Sequence, residues 1–525
     1  MGRTPKTIAL LLCLLALPAA CTSPTATSDS NSTLKVLAGS ELKDLAPVLS
    51  DFQKSTGNTV AMHYAGSLQG AEQIMNGDPS DVAWFSSGRY LSLLQGTTHK
   101  ILAQQQVMLS PVVLGVKHST AVRLGWTDNP KVTWRDIADR AKAHDFRFAM
   151  TNPAASNSGF VALVGVAQAF SATPDALQAG DINTAALRDF FTGQALTAGS
   201  SGFLADAYVR QQDRLDGIVN YESVLLSMNT GGRLHEPLDL IYPKEGIITA
   251  DYPLMLLRPD RRAIYDKLIA YLRGPDAQRR IMTSTGRRPA IPEVKPDSRF
   301  PNRVLIELPF PSSLDVVNRL LASYLNEIRP PSYTVFVLDT SGSMEGPRID
   351  SLKRALLNLA GADTSLSGRF ASFHNRESIT MVLFSSRVND QRSFQLSDTG
   401  DNSAQLQEIR KYVNALHAGG GTAIYDALEV AYQLAGNARA KQPDGYYSVV
   451  LMTDGENNQG RSGNAFLSDY RGWPDSWRTI PTFPVLFGEG NPTELRRIAE
   501  TTGGTVFDGR KADLSQVFKE IRGYQ

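Results

Sequence analysis

Five oxygen-bearing side chains, far apart in the sequence but each at the end of an apolar run or in a glycine-rich loop, are the residues best suited to chemistry in this 525-residue chain. Residues 333–338 (YTVFVL) form a continuous apolar run of the kind buried on both faces of a parallel sheet, and they lead directly into Asp339-Thr340-Ser341-Gly342-Ser343. Asp339, Ser341 and Ser343 alternate around a tight turn, so one carboxylate and two hydroxyls can face a common point while Gly342 supplies backbone freedom. Gly419-Gly420-Gly421-Thr422 offers a third hydroxyl, and a second apolar run, 449–452, ends in Thr453-Asp454-Gly455. Hard divalent cations take such oxygen ligands. With only two carboxylates the set favours Mg²⁺ over Ca²⁺, and Mn²⁺ is the natural substitute. An isolated Asp-x-Ser-x-Ser turn occurs in many loops; the strand context and the remote Thr422 and Asp454 make it a metal site here.

A second set of polar turns lies near the other end. From residue 34, short apolar strands alternate with amphipathic helices, the pattern of a parallel sheet with crossover helices. Gly39-Ser40, Gly66-Ser67 and Ser86-Ser87-Gly88 each close a strand, and the loop 151–159 precedes an apolar helix starting at Phe160. Ligands in open α/β sheets bind beyond the carboxyl ends of strands, where helix N-termini present free N–H groups. Singly, such residues are helix caps and turn formers; their repetition at strand ends carries the signal. A hydroxyl-rich crevice of this kind suits a small oxyanion or a sugar-like solute.

These turns resemble those of type II extracellular solute-binding proteins of ABC transporters. The likeness covers roughly residues 34–300 and includes the Asn152-Pro153 loop, the segment 217–223 (GIVNYES) and Tyr252-Pro253 before an apolar strand. It implies two α/β lobes closing on a ligand, with Ser40, Ser67, Ser87, Ser158 and Tyr221 as contacts. Asp339, Ser341, Ser343, Thr422 and Asp454 in turn resemble the metal-ion-dependent adhesion site of von Willebrand factor type A (VWA) domains, with all five positions filled. That resemblance covers residues 333–525, with strands expected at 481–488 and 502–507 and a terminal helix ending near Ile521. It implies that Ser341 and Ser343 bind the metal directly, Thr422 directly or through water, and the aspartates largely through water. One coordination position is left for an acidic residue of a partner protein.

The elements that must position these residues divide accordingly. The fold class expected is α/β: a two-lobed type II periplasmic-binding-protein-like fold over 34–311, a connecting helix and linker over 312–332, and a doubly wound Rossmann-like VWA domain over 333–525. In the connecting segment, Leu314, Val317, Leu321, Tyr324, Leu325 and Ile328 recur at helical spacing, Ser312-x-x-Asp315 suggests a capping box, and Pro330-Pro331 ends the helix.

The N-terminus reads as an export segment. Arg3 and Lys6 precede an apolar run over 8–20 that is too short to span a bilayer. Leu17-Pro18-Ala19-Ala20-Cys21 resembles a bacterial lipobox, although Pro18 replaces the usual leucine. This implies a signal peptide at 1–20, diacylation of Cys21 (palmitate among the chains) and a Ser/Thr-rich tether at 21–33, with the protein on the extracytoplasmic face of the cell membrane. Cys13 and Cys21 are the two cysteines, so neither a disulfide framework nor a cysteine metal site serves the rest of the chain.

Composition narrows the function further. Lys and Arg total 53 against 52 Asp and Glu, a balance that lacks the basic excess nucleic-acid binding draws on. No phosphate loop, His-Glu-x-x-His or nucleophile elbow occurs, and Asp426 and Glu456, near the metal loops, read as a helix-face acid and a loop acid. The expectation is a non-enzymatic, lipid-anchored binding protein. The alternative is a substrate-binding component of an ABC transporter with the VWA domain as scaffold; a hydrolytic metal site ranks last because it would lack a positioned base.

Overall fold

The computed structural model describes residues 32–525 apart from 96–98, 172, 174, 302–303, 401–402 and 511–512. The signal peptide, Cys21 and nearly all of the 21–33 tether lie outside the described residues.

Three sheets organise the chain. The first lobe is a five-stranded sheet in the order Thr59–Tyr64, Thr33–Ala38, Val82–Trp84, Pro253–Leu256, Ala103–Gln106. The first three strands pair in parallel, as their apolar runs and intervening helices require; Pro253–Leu256 runs antiparallel to them, and Ala103–Gln106, antiparallel to Pro253–Leu256, resumes their direction. The chain crosses to the second lobe at residue 107, returns between Thr249–Ala250 and Pro253–Leu256, and rejoins the second-lobe sheet at Arg288–Pro289. The second lobe is seven-stranded and centred on Met108–Lys117, Gly217–Tyr221, Phe148–Thr151 and Gln194–Ala198. Between its strands sits Asn157–Ala169 (NSGFVALVGVAQA), a helix buried almost all round because it carries no charged residue.

The connecting helix is Leu314–Ser323, followed by a wide turn over Tyr324–Ile328. Its cap is Ser313 rather than Ser312: the Ser313 hydroxyl accepts from the Asp315 N–H at 3.2 Å, and no Ser312–Asp315 box forms. Val317, Leu321, Tyr324, Leu325 and Ile328 are buried and Leu314 is half-buried, so the helical spacing did mark the packed face.

The third sheet has the order Val388–Gln395, Glu377–Phe384, Ser332–Asp339, Tyr446–Thr453, Thr482–Leu486, Phe507–Asp508. All but the first run parallel. Ser332–Asp339 is central and buried along nearly its whole length, with one apolar cluster on each face of the sheet. The strand expected at 502–507 is shorter. Thr502 still belongs to the helix Pro492–Thr502, and Gly503 at φ +78° closes that helix in the left-handed conformation before the strand Phe507–Asp508 begins. The terminal helix is Leu514–Arg522.

This last domain is docked against both lobes. The Glu72 carboxylate of the first lobe accepts from the N–H groups of Leu366 and Ser367 at 2.9 Å each, capping the helix Leu366–Ala371. Gln69 Nε2 donates to Gln516 Oε1 at 2.7 Å. On the second lobe, Asn152 Nδ2 donates to the Arg522 carbonyl at 3.3 Å and the Phe203 and Tyr524 rings meet with centroids 4.8 Å apart. Gly199 lies under Tyr524, where a Cβ would stand 2.7 Å from the ring, so only glycine allows the approach. Among the described residues no helix is long and apolar enough to cross a membrane.

Candidate metal centre and solute crevice

The carboxyl end of Ser332–Asp339, the 419–422 loop and the end of Tyr446–Thr453 meet at one point because the strands pair in register, Leu338 opposite Met452. Asp339 Oδ1 accepts from the Ser341 N–H at 2.8 Å, and Asp339 Oδ2 accepts from Thr453 Oγ1 at 2.6 Å. The Ser341 and Ser343 hydroxyls are 3.0 Å apart, and Ser343 Oγ donates to Asp454 Oδ1 at 2.7 Å. Ser343 Oγ and Thr422 Oγ1 each lie 3.7 Å from where a Cβ on Gly455 would stand, so this glycine leaves open the space between them. The 419–422 loop is held by Gly342 N–H on the Gly420 carbonyl at 2.9 Å and by Asn458, whose Oδ1 accepts from the Thr422 N–H at 2.8 Å. Gly420 has φ +90° and faces the Ser385 and Ser386 hydroxyls, a conformation and a space that suit only glycine.

All five sequence-derived metal residues therefore converge. Asp339, Ser341, Thr422 and Asp454 form a buried floor, and Ser343 stands at an exposed rim. Burial pushes the Asp339 carboxyl above its ordinary range, bonds from Ser341 and Thr453 pull it partly back, and the Asp454 charge adds to the rise. Two carboxylates and three hydroxyls in a solvent-open cup are a hard-oxygen set that fits a small divalent cation carrying waters. Among the described residues no cluster of three or more His, Cys, Asp or Glu gathers to hold a metal, so the hydroxyls of Ser341, Ser343 and Thr422 are part of what makes this set a candidate.

Two contributors escaped the sequence reading. Thr453, one residue before Asp454, fixes the Asp339 carboxylate. Arg348, in the first turn of Pro347–Leu357, donates from Nη1 to Asp454 Oδ2 at 2.5 Å and to the Ser343 carbonyl at 3.3 Å. Its position in the helix just after the serine turn was the available signal. Asp426 accepts from the Arg461 N–H and Glu456 from Asn491 Nδ2, so both are tied into loops.

In the crevice between the lobes, Ser40 lines a cavity at the mouth. Ser67 opens the helix Ser67–Met75 and is buried. Ser87 Oγ accepts from the Arg89 N–H at 3.3 Å, a local turn contact. Ser158 Oγ lies 2.8 Å from both Thr151 Oγ1 and Ser201 Oγ, inside the second lobe. The Tyr221 hydroxyl crosses the crevice, donating to Ser86 Oγ at 2.8 Å and accepting from Asn157 Nδ2 at 3.1 Å. The five expected ligand residues thus do not line a single space.

Residues 34–288 match the family model for bacterial extracellular solute-binding proteins, and residues 334–520 that for the von Willebrand factor type A domain. Inter-alpha-trypsin inhibitor heavy chain H4 of Sus scrofa is 30% identical over 135 residues, 25% of this chain and 13% of the relative. Heavy chain H3 of Homo sapiens is 30% identical over 135 residues, 25% of this chain and 14% of the relative, so the chain spans about a seventh or less of these relatives' length. Among solved structures, the periplasmic binding protein AfuA from Actinobacillus pleuropneumoniae, with fructose-6-phosphate bound, is similar at TM-score 0.45 and 14% identity, covering 56% of this chain and 98% of that one. A von Willebrand factor type A protein from Catenulispora acidiphila is similar at TM-score 0.29 and 22% identity, covering 37% of this chain and 42% of that one.

Proposed function

We propose that this chain, a solute-binding-protein-like domain followed by a VWA domain, is an extracytoplasmic protein anchored through Cys21 that binds rather than catalyses. In this reading Asp339, Ser341, Ser343, Thr422 and Asp454 hold Mg²⁺, with Mn²⁺ or Ca²⁺ as substitutes. When bound, the cation supplies a Lewis-acidic position that takes a carboxylate of a partner protein. The observation that carries the reading is the convergence of these five residues from three separate loops on one cup with an exposed rim, four of them linked by hydrogen bonds and the Thr422 hydroxyl facing Ser343 across Gly455. The chain's own part is to hold the Asp339 carboxylate with Thr453 and the Ser341 N–H, to aim Ser343 through Asp454, and to keep the rim open.

The test is Mg²⁺ titration of the mature protein by calorimetry, followed by a pull-down from membranes with and without EDTA. Wild type should bind Mg²⁺ and capture a partner only with metal. Asp339→Ala should lose both while retaining its circular dichroism spectrum. Capture that survives EDTA overturns the reading. Incorporation of labelled palmitate that stops in Cys21→Ala tests the anchor.

The cavity at the mouth of the crevice supports a second role, recognition of a small solute, whether or not the chain serves an ABC transporter. Saturable binding of a small solute that raises the melting temperature is the expected result.

A further inference from the structure

The deep part of the inter-lobe crevice is occupied by the chain itself. Tyr221 spans it to Ser86, and Ser67, Ser87 and Ser158 are buried. The Glu41 carboxylate is turned into it, with Oε1 buried and without a hydrogen-bond partner among the described residues. Beneath it the Arg287 guanidinium, itself buried, is already committed to Asp44 Oδ2 at 2.6 Å and to the Glu41 carbonyl at 3.0 Å. Burial pushes the Glu41 carboxyl above its ordinary range, and the guanidinium beside it is already engaged, so the deep crevice offers little to an anionic solute.

The open space lies further out. A cavity of about 520 Å³ is walled by the carboxyl ends of four strands, through Ser40, Gly66, Asn152 and Ser200, two from each lobe. Its outer wall comes from the VWA domain: the helix Leu366–Ala371 and the terminal helix, through Gln516 and Glu520. The wall is fixed on both sides, by Glu72 to the Leu366 and Ser367 N–H groups on the first lobe and by Asn152 to the Arg522 carbonyl on the second. The volume falls in the range of small-molecule sites, which run to roughly 300–1,000 Å³.

The lining chemistry selects the occupant. Gln69, Gln73 and Gln516 supply amides, Ser40, Ser200 and Ser367 supply hydroxyls, and Tyr90 and Phe370 supply ring surface. Two of the cations are already paired: Lys519 Nζ lies 2.7 Å from Asp363 Oδ2 and Arg522 Nη2 lies 2.5 Å from Glu377 Oε1. Lys43 lies over the Tyr64 ring at 5.1 Å, and Glu520 adds an acidic group to the lining. With Lys519 and Arg522 already ion-paired and an acidic group, Glu520, on the wall, an oxyanion finds little positive charge to hold it; a neutral molecule dense in hydroxyls would find both donors and acceptors.

We infer that this cavity is a composite site for a small, uncharged, polyhydroxylated solute of mono- to disaccharide size, completed by the VWA domain. Binding there bridges both lobes and the terminal helix, so the solute tightens the docking of the VWA domain. The inference rests on the reading of the N-terminal domain as solute-binding.

The experiment uses the mature chain with glucose, sucrose, trehalose and myo-inositol as neutral probes and with sulfate and inorganic phosphate as anionic ones. Calorimetry should show binding of at least one neutral probe and none of the anions, and hydrogen exchange should show that the same probe slows exchange across residues 514–522. Gln73→Leu on the first lobe and Glu520→Leu on the VWA domain should each weaken that probe at least tenfold, with Mg²⁺ affinity and circular dichroism unchanged. If the neutral probe binds Glu520→Leu and Gln516→Leu as it binds wild type, the composite site is refuted while solute recognition by the N-terminal domain stands. Binding of anions in place of neutral probes refutes the ligand class. Binding of none of the probes overturns both the inference and the solute-binding reading.

Discussion

Replacing Glu377 by Gln tests whether a buried charge cluster holds the VWA domain's C-terminus where it meets the lobes. The Glu377 side chain is 1% exposed and faces two guanidiniums, Arg329 at 2% and Arg522 at 5%. Arg329 comes from the end of the connecting segment, Glu377 opens a strand of the third sheet, and Arg522 ends the terminal helix. Burial opposes ionisation of Glu377, but the Arg522 and Arg329 charges outweigh it and hold its carboxyl below the ordinary range. Breaking such a pair from one side leaves buried charge uncompensated, at about 3–5 kcal/mol. Both guanidiniums keep carbonyl partners, Arg329 on Leu325 and Gln525 and Arg522 on Ala371 and Ser372, so the lower end, about 3 kcal/mol, applies. For a domain of this size that is a fall in melting temperature of roughly 6–12 °C. Scanning calorimetry of Glu377→Gln should show this fall in the VWA transition. The pH dependence has a defined sign. A carboxylate whose folded pKa is depressed contributes stability above its unfolded value, about 4.3, and loses it as pH falls through the folded value; Glu377→Gln should remove that acid-side loss. A shift below about 2 °C, or an acid limb identical to wild type, would refute the charge-cluster argument.

Three further outcomes follow from particular contacts. Burial pushes His374 down to about 4, so stability should fall by about 3 kcal/mol as pH drops from about 6.5 toward 4; urea titrations in which His374→Gln retains the same slope would contradict this. Arg348→Gln removes a cation from Asp454, and calorimetry should show Mg²⁺ binding about fivefold tighter, the ~1 kcal/mol upper range of a partly exposed ion pair; unchanged or weaker binding refutes the role. Glu72→Ala leaves the Ser365 cap but removes the acceptor of the Leu366 and Ser367 N–H groups, and should cost about 1 kcal/mol with faster amide exchange at those two residues, whereas unchanged exchange would show that the inter-domain contact is idle.

What the sequence could and could not disclose follows from the range of each contact. The convergence of the five candidate metal residues was legible because each chemical group is adjacent to its own positioning signal: an apolar strand before Asp339, glycines before Thr422, an apolar strand before Asp454. Parallel pairing then brings those strand ends together without further information. Thr453 was hidden because a strand-end threonine looks the same whether or not it grips a carboxylate. The ligand serines were named from strand ends alone, yet a strand-end serine can turn inward as well as outward: Ser158 bonds Thr151 and Ser201 within the second lobe and Ser87 serves a local turn, while Ser40 lines the open cavity. The composite cavity was beyond reach for the same reason in stronger form. Its walls are set by contacts such as Glu72 with Leu366 and Gln69 with Gln516, between residues 294 and 447 positions apart, and neither partner has a local pattern that anticipates the other. A Glu on one helix and a Ser-capped turn on another are ordinary surface features until two domains meet. The docked arrangement is therefore the property of this chain that its two halves, read separately, do not contain, and it is what makes the terminal helix of one domain a wall of the other's crevice.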